Sequence, residues 1–211
     1  GIAAEKHHQL ELGIALEPVG WDLALSAYYD AVEDFILRDR AHAQAGILQN
    51  DNATIYRNVD ALLYGAELSM THRWAGAWRS RFTLATVYGE NTTDDRPLAQ
   101  IPPLSFSLDL GYEAIRWSFT GRVRGAARQN RVDDDPNTGS GLDAGQTPGW
   151  AVLDLYGAYR FARGFQLRYG IDNAFDRRYA EHLNQANAFD PVQVQINEPG
   201  RSLWLKLTAA L

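Results

Sequence analysis

The chain has 211 residues, a formal net charge of −6 at pH 7 and a mean hydropathy of −0.34. The acidic balance argues against a nucleic-acid partner, and the absence of cysteine excludes disulfides and thiolate sites. The chain also contains no run of about 18 apolar residues that could form a transmembrane helix.

Nine segments alternate apolar and polar residues with a period of two, which is the pattern of β-strands with two different faces. The last of them is typical: Leu203, Leu205 and Leu207 alternate with Trp204 and Lys206. No segment has a convincing helical period, so the sequence predicts an all-β fold. In chain order, the predicted strands cover residues 9–16, 21–30, 62–70, 78–88, 104–112, 117–124, 153–161, 165–172 and 203–211.

The connections between these strands alternate in length. Outer-membrane barrels have short periplasmic turns and long external loops, whereas soluble sandwiches have no such rule. The sequence therefore predicts a section of an antiparallel transmembrane β-barrel whose last strand descends to the periplasmic side. The short connections are 17–20, 75–77, 113–115 and 162–164, and the long ones are about 39–52, 90–99, 130–147 and 181–195.

Six aromatic residues lie beside the short turns, on the apolar side of the alternation. A soluble β-sandwich would also alternate, but it gives no reason to collect aromatic residues at one rim. In a membrane barrel they form a girdle at the level of the lipid headgroups. The six residues are Trp21, Trp74, Trp78, Trp117, Phe161 and Phe165.

The count of nine strands is odd, whereas single-chain bacterial barrels have even numbers of strands. The chain also begins at Gly1, without a start residue or a signal peptide. We therefore expect residues 1–211 to be the C-terminal part of a longer barrel protein, with the upstream strands absent. The chain ends at Leu211, where most such barrels end in an aromatic residue.

Five short motifs resemble those of the TonB-dependent outer-membrane receptors, and they occur in the order of that family. The third motif contains Pro102 and Pro103. They suit the start of a strand, because proline cannot donate a hydrogen bond to a strand ladder. The motifs are residues 5–13 (EKHHQLELG), 58–67 (NVDALLYGAE), 101–103 (IPP), 172–179 (DNAFDRRY) and 198–201 (EPGR).

This resemblance implies a 22-stranded barrel in the bacterial outer membrane, filled by an N-terminal plug and driven by the TonB complex of the inner membrane through a TonB box. The chain would supply about the last nine strands and contact lipid and its own plug. The implied activity is active transport of a metal ion or metal chelate into the periplasm. Segments 96–104, 147–152 and 179–184 look most like the copper-receptor branch. A siderophore or cobalamin receptor, or a passive porin, is the alternative.

The motif residues are expected to serve barrel geometry and assembly, not substrate chemistry. Gly200 lets the chain turn into the last strand, and Arg201 is positioned to pair with Glu198 or with an acidic residue of the lumen. The remaining members of this structural set are Asn173, Tyr179 and Pro199.

Three arginines fall on the same side of the two-residue alternation: Arg122, Arg124 and Arg128. This placement predicts a basic column inside the lumen. Such a column could guide an anionic chelate or hold an acidic plug surface. The alternative, which cross-strand charge pairing favours, is ion pairing with acidic residues of neighbouring strands. These acidic residues are Asp109, Asp154 and Asp172; Asp154 and Arg168 are also predicted to line the lumen.

The residues that could bind a metal are few, and no resident cofactor is expected. Loop 131–143 is rich in oxygen ligands for calcium, but it lacks the spacing of a calcium loop, which favours a solvated flexible loop. Cu(I) prefers sulfur ligands, and Met70 is the only methionine. Met70 and His72 share the lipid-facing parity, so the ligands of a copper site are expected upstream. The other histidines, His7, His8, His42 and His182, are expected to be ordinary surface residues.

The sequence offers no enzyme active site. It contains no Gly-x-Ser-x-Gly, no phosphate-binding loop and no His-Glu-x-x-His, and none of its histidines lies in a motif that suggests a general base. The chain is therefore predicted to act in transport.

Overall fold

The computed structural model describes residues 1–40, 54–135, 138–162, 164–184 and 195–209. These residues form one antiparallel sheet in which consecutive long strands are neighbours. No helix in this part of the chain is long and apolar enough to cross a membrane. The strands are β1 (Lys6–Leu16), β2 (Trp21–Arg40), β3 (Thr54–Arg73), β4 (Trp78–Asn91), β5 (Arg96–Pro97), β6 (Ser105–Glu113), β7 (Trp117–Ala126), β8 (Trp150–Ala162), β9 (Phe165–Asp172) and β10 (Ser202–Ala209).

The nine predicted strands are confirmed, and the structure adds one that the sequence did not reveal. This is β5, a two-residue strand in which Arg96 pairs with Asn91 and Pro97 with Glu90. It folds the connection after β4 back onto β4 before the chain enters β6. Pro102 and Pro103 come just before β6, as predicted for residues that cannot donate to a ladder.

The alternation of the sequence separates an outer face from an inner face of the sheet. On the outer face, Leu12 is 68% exposed and Leu205 is 72% exposed, and both belong to strands at the ends of the sheet. On the inner face, Asp109 pairs with Arg122 in register, and Arg122 pairs in turn with Asp154. A sheet with an apolar exposed face and a charged opposite face is the arrangement of a barrel wall between lipid and a wet lumen.

Aromatic rings line the edge of the sheet that carries the short turns. The rings of Trp78 and Tyr112 are 5.1 Å apart, and the ring of Trp117 stacks on Tyr112 at 5.0 Å. Farther along the same edge, Phe161 contacts Phe165 at 5.8 Å between ring centroids. The predicted rim of aromatic residues is thus continuous across neighbouring strands.

At the opposite edge, β2 and β3 extend well beyond their neighbours and carry a small apolar core. A bulge between Val32 and Phe35 shifts the register of this hairpin. Above it, Leu37 and Val59 are buried together with Leu98 from the connection after β4. The core therefore fixes that connection against the hairpin. Its full membership is Val32, Leu37, Val59, Ala61 and Leu98, with Phe35, Leu63 and Ile101 packed against it.

Candidate functional site

The arginines of the predicted lumen column that lie within β7 form cross-strand ion pairs. Arg122 donates from Nε to Asp109 at 2.5 Å, and Arg124 donates from Nε to Asp154 at 2.9 Å. Both pairs lie on the inner face of the sheet. The alternative that the sequence favoured, charge pairing between neighbouring strands, is therefore what the structure contains at these two positions.

Arg128 lies beyond the end of β7, so its place in the column stays a prediction. β7 ends at Ala126, so the alternation that would align Arg128 with Arg124 stops two residues earlier. Its side chain is exposed and donates to Gln146 at 2.9 Å. Parity predicts the direction of a side chain only as far as the ladder continues.

Arg168 lies on the inner face and is exposed, with Lys206 of β10 directly opposite. Among the described residues it makes no ion pair. Asp172, two residues later, accepts a hydrogen bond from the Tyr156 hydroxyl at 2.9 Å. Asp172 therefore pairs with a tyrosine hydroxyl and not with an arginine of the column.

Arg124 lies beside a pair of aromatic rings at the upper end of the inner face, those of Trp150 and Tyr179, whose centroids are 4.3 Å apart. Its guanidinium carbon is 5.6 Å from the centre of the Trp150 ring and 5.9 Å from that of Tyr179. Glu181 approaches to 3.9 Å from Nη1. Arg124, Trp150 and Glu181 border a recess of about 240 Å³ that His182 and Leu183 also line. A cation beside an aromatic face in a recess is suited to a flat anionic or aromatic group.

Asp154 links the recess beside Arg124 to the segment that follows β9. It is almost completely buried, and its second oxygen accepts the backbone N–H of Asn173 at 2.8 Å. Asn173 has a positive φ of 50° and exchanges hydrogen bonds of 2.8 Å with the backbone of Arg177. The buried carboxylate therefore holds both an inner-face arginine and the turn that follows β9.

The remaining motif residues after β9 shape the approach to β10. The backbone N–H of Glu198 donates to the carbonyl of Tyr179 at 2.8 Å, which ties Pro199 and its neighbours to the start of the loop. A side chain at Gly200 would place its Cβ 2.7 Å from an oxygen of Asp176. These contacts join the two ends of the connection between β9 and β10.

Arg201 departs from its expected pairing with Glu198. Its backbone N–H donates to Asp176 Oδ1 at 2.8 Å, while Glu198 accepts from the Asn184 amide at 2.8 Å. Within the described ranges, the guanidinium of Arg201 forms no ion pair. Glu198 therefore pairs with Asn184 and not with Arg201, and the pairing of Arg201 with an acidic residue of the lumen stays a prediction.

The long connections pack together into what we call the long-loop layer, defined as the described parts of residues 92–104, 127–149 and 173–201. Asp39, at the end of β2, is fully buried and accepts from Arg57 at 2.7 Å and from Arg96 at 2.9 Å. Arg96 also donates to Asp133 at 3.1 Å. One arginine thus links the β2–β3 hairpin to two of the long connections.

Asp94 completes this charged cluster. It pairs with Arg57 and accepts from Asn91 at 2.6 Å. Partial burial acts to raise the pKa of Asp94, but the hydrogen bonds from Arg57 and Asn91 outweigh it and hold the pKa below its usual value. The Asp94 carboxylate therefore stays ionised at neutral pH.

The acidic loop 131–143 is not the solvated flexible loop that its composition favoured. Asp133 and Asp143 are both more than 90% buried. Asp133 accepts the backbone N–H of Ser140 at 2.8 Å, and Asp143 accepts that of Gln100 at 2.8 Å. Both carboxylates accept hydrogen bonds from backbone N–H groups, and the composition of the loop does not predict these partners. These bonds also use oxygens that a calcium ion would require.

His182 is likewise not the surface residue that was expected. It is 6% exposed, and its Nδ1 lies 3.1 Å from the Thr147 hydroxyl. Its Nε2 is buried without a hydrogen bond, 3.6 Å from Asp143 Oδ1. Burial lowers the pKa of His182, and the Asp143 carboxylate opposes this shift only in part. The imidazole is therefore neutral at pH 7.

The other described histidines are dispersed. His7 lies 2.7 Å from Asp30, and His8 lies 3.4 Å from Glu33. His72 stacks on Trp21 at 3.9 Å within the aromatic rim. His42 lies outside the described residues, and so does Leu211. The part of the chain that the structure describes contains no group of three or more His, Cys, Asp or Glu side chains that could hold a metal ion.

Two inner-face arginines that the sequence analysis did not single out have no charged partner. Arg79 and Arg81 of β4 are exposed and make no ion pair with any described residue. Their parity was visible in the sequence. Counting the acidic residues in register with each arginine would have distinguished them, but that register was not known.

Comparison with known proteins gives consistent matches. A family model described as TonB dependent receptor-like, beta-barrel matches residues 1–174. Two ferric enterobactin receptors of Pseudomonas aeruginosa are 28% and 26% identical to this chain, of which they cover 100% and 99%. The chain spans only 30% and 28% of the length of these relatives.

Solved structures show the same fold. The copper transporter OprC is 35% identical, with a TM-score of 0.88 over 99% of this chain and 32% of its own. The ferric enterobactin receptor PfeA of Pseudomonas aeruginosa is 24% identical, with a TM-score of 0.75 over 99% of this chain and 32% of its own.

Proposed function

This chain belongs to the TonB-dependent receptor β-barrel family, and we propose that it is the C-terminal barrel part of a receptor that imports a metal ion or metal chelate. Proteins of this family lie in the outer membrane of Gram-negative bacteria and act as receptors and transporters, not as enzymes. In this proposal, upstream strands and a plug complete the barrel, and the TonB complex supplies the energy.

The observation that carries the proposal is the combination of a charged inner face with an apolar outer face across nine long strands. The inner face contains the pairs Arg122–Asp109 and Arg124–Asp154, while leucines project from the outer face. A wall of this kind supports passage of a polar solute along its charged side. The match to receptors over residues 1–174 favours active import over the passive porin.

Copper is the cargo that we propose first. The likeness to the copper transporter OprC, at 35% identity and a TM-score of 0.88, supports it. The ligands of a copper site would lie outside this chain, since Met70 is its only methionine and it has no cysteine. In this proposal, residues 1–211 contribute wall and loops, and the upstream part supplies the metal ligands.

A ferric siderophore is the second candidate, and the recess beside Arg124 is the observation that favours it. Siderophore chelates of the catecholate type are anionic and aromatic, and Arg124 lies beside the paired rings of Trp150 and Tyr179. The two curated relatives named above are ferric enterobactin receptors.

The experiment is an uptake assay with cells that produce the full-length receptor and with cells that lack its gene. Copper, ferric enterobactin and cobalamin are supplied separately, each with and without an uncoupler of the proton-motive force. Receptor-dependent uptake of copper that the uncoupler abolishes is the expected result. Uptake of ferric enterobactin alone would replace copper by the second candidate, and uptake that persists with the uncoupler would indicate a porin.

A further inference from the structure

A second recess opens on the inner face, close to the edge of the sheet that carries the short turns. It has a volume of about 350 Å³ and lies between β4, β6 and β7. Three arginines border it, Arg79, Arg81 and Arg122, and the hydroxyl residues Ser118 and Thr120 form part of its lining. It does not share a lining residue with the recess beside Arg124.

Among the described residues, the acidic side chains near this recess pair with only one of its three arginines. Asp109 is the carboxylate in register with Arg81, but it accepts from Arg122 at 2.5 Å. Glu113, at the lower end of the recess, forms no ion pair among the described residues. Arg79 and Arg81 are therefore left with exposed guanidinium groups and no partner in the described part of the chain.

The register places Arg79 and Arg81 close to other positive charges. Arg79 lies directly opposite Arg73, whose guanidinium pairs with Asp22 at 2.7 Å. Arg81 lies on the same face of β4, about 7 Å from Arg79 by the repeat of a strand. Like charges opposite each other destabilise a sheet. An anion placed between the guanidinium groups of Arg79 and Arg81 would offset the repulsion between them.

We propose that this recess is an anion-binding site that takes a carboxylate group. Guanidinium groups match carboxylates with paired hydrogen bonds, and a concave wall strengthens their field. Ser118 and Thr120 add hydroxyl donors of the kind that complete such a site. The carboxylate comes either from an acidic side chain of the polypeptide upstream of this chain or from a soluble anion that passes along the wall.

Zero-length cross-linking tests the first source in the full-length receptor. Arg81→Lys keeps the positive charge and supplies an amine that a carbodiimide couples to any carboxylate in contact. The expected result is an amide bond, mapped by mass spectrometry, between the substituted lysine and an acidic residue upstream of residue 1. Arg160→Lys is the control, because Arg160 is exposed on the same face but borders a recess of only about 10 Å³.

Calorimetric titration with citrate tests the second source in the same detergent-solubilised protein. If a soluble anion is the occupant, citrate binds, and Arg79→Gln with Arg81→Gln weakens its affinity about tenfold or more, as expected for lost charge-assisted hydrogen bonds. Arg160→Gln leaves that affinity unchanged.

Two results would overturn the proposal. One is an absence of both an upstream cross-link and citrate binding that depends on Arg79 and Arg81. The other is a cross-link from position 81 to Asp109 or Glu113 alone, which would show that the recess neutralises itself. The inference rests on the proposed function only where it assumes a polypeptide upstream of this chain. Metal uptake by the same cells distinguishes a failure of the inference from a failure of the proposed function. Uptake that persists without the cross-link and without citrate binding contradicts the inference alone.

Discussion

The long-loop layer and the recess at Arg79 and Arg81 contain similar charged groups in opposite circumstances. Where the β2–β3 hairpin meets the layer, the Asp39 carboxylate is fully buried and accepts from Arg57 of the hairpin and Arg96 of the layer. In the recess, two arginines are exposed and no described carboxylate pairs with them. Burial explains the difference, because an unpaired charge costs several kcal/mol inside a protein and little in contact with water. Charges in the layer therefore stabilise structure, whereas those in the recess remain free to bind.

The largest effect is expected at Asp39. Asp39→Asn removes the charge that Arg57 and Arg96 share, so both lose a buried partner. The layer should lose roughly 3–5 kcal/mol of local stability, as when one member of a buried pair is removed. Hydrogen exchange in the full-length protein measures this at residues 54–60 and 92–101. Asp22→Asn is the matched control, since the Arg73–Asp22 pair is exposed and should contribute less than about 1 kcal/mol.

A smaller effect is expected at Gly89, where the apolar core meets the layer. A Cβ at this position would lie 2.6 Å from one carbon of Ile101 and 3.3 Å from Leu98. Gly89→Ala should therefore displace residues 98–101 at a cost of about 1–3 kcal/mol. Protease sensitivity of the connection after β4 reports the displacement. Gly121→Ala serves as the control, because its Cβ meets only ordinary contact with Leu155 at 3.7 Å.

The layer should also loosen in acid through His182. Burial depresses the pKa of the packed imidazole, so the packed state resists the proton that an exposed histidine accepts below about pH 6.5. The stabilising contribution is complete above that pH and is lost as the pH falls toward the depressed pKa of His182. Proteolysis of residues 138–149 in the full-length protein at pH 7.5 and 5.5 measures this loss. His182→Asn can retain the contact with Thr147 and should remove the part of the pH dependence that His182 causes; an unchanged pH dependence would contradict its role.

The smallest effect on stability is expected in the recess. Arg79→Gln or Arg81→Gln removes an exposed charge without a partner in the described part of the chain, so the free energy of unfolding should change by no more than about 0.5 kcal/mol. Thermal unfolding of the full-length protein in detergent, without added anions, is the measurement. A loss comparable to that of Asp39→Asn would show that these arginines belong to a structural network and would remove the contrast between the two regions.

The sequence predicts the wall of this molecule far better than its loops. Alternation and connection length were enough for the nine long strands, their faces and the aromatic rim, because each depends on residues close together in the chain. The layer depends on partners such as Asp143 and His182, which are 39 positions apart and meet only after the sheet has formed. Arg128 shows the same limit, since it lies two residues beyond the end of β7, where alternation no longer predicts the direction of a side chain.

The comparison of the long-loop layer with the recess depends on which edge of the sheet faces the outside of the cell. Labelling of intact cells tests this orientation most directly. Residues 1–211 contain no cysteine, so a single substitution here, in a full-length receptor whose other cysteines have been replaced, reports one position. Asn130→Cys lies in the long-loop layer and Ala75→Cys in a short turn, and both positions are exposed. With a membrane-impermeant maleimide, the account predicts labelling at position 130 and none at position 75 until the cells are lysed. Labelling at position 75 but not at position 130 in intact cells would contradict it.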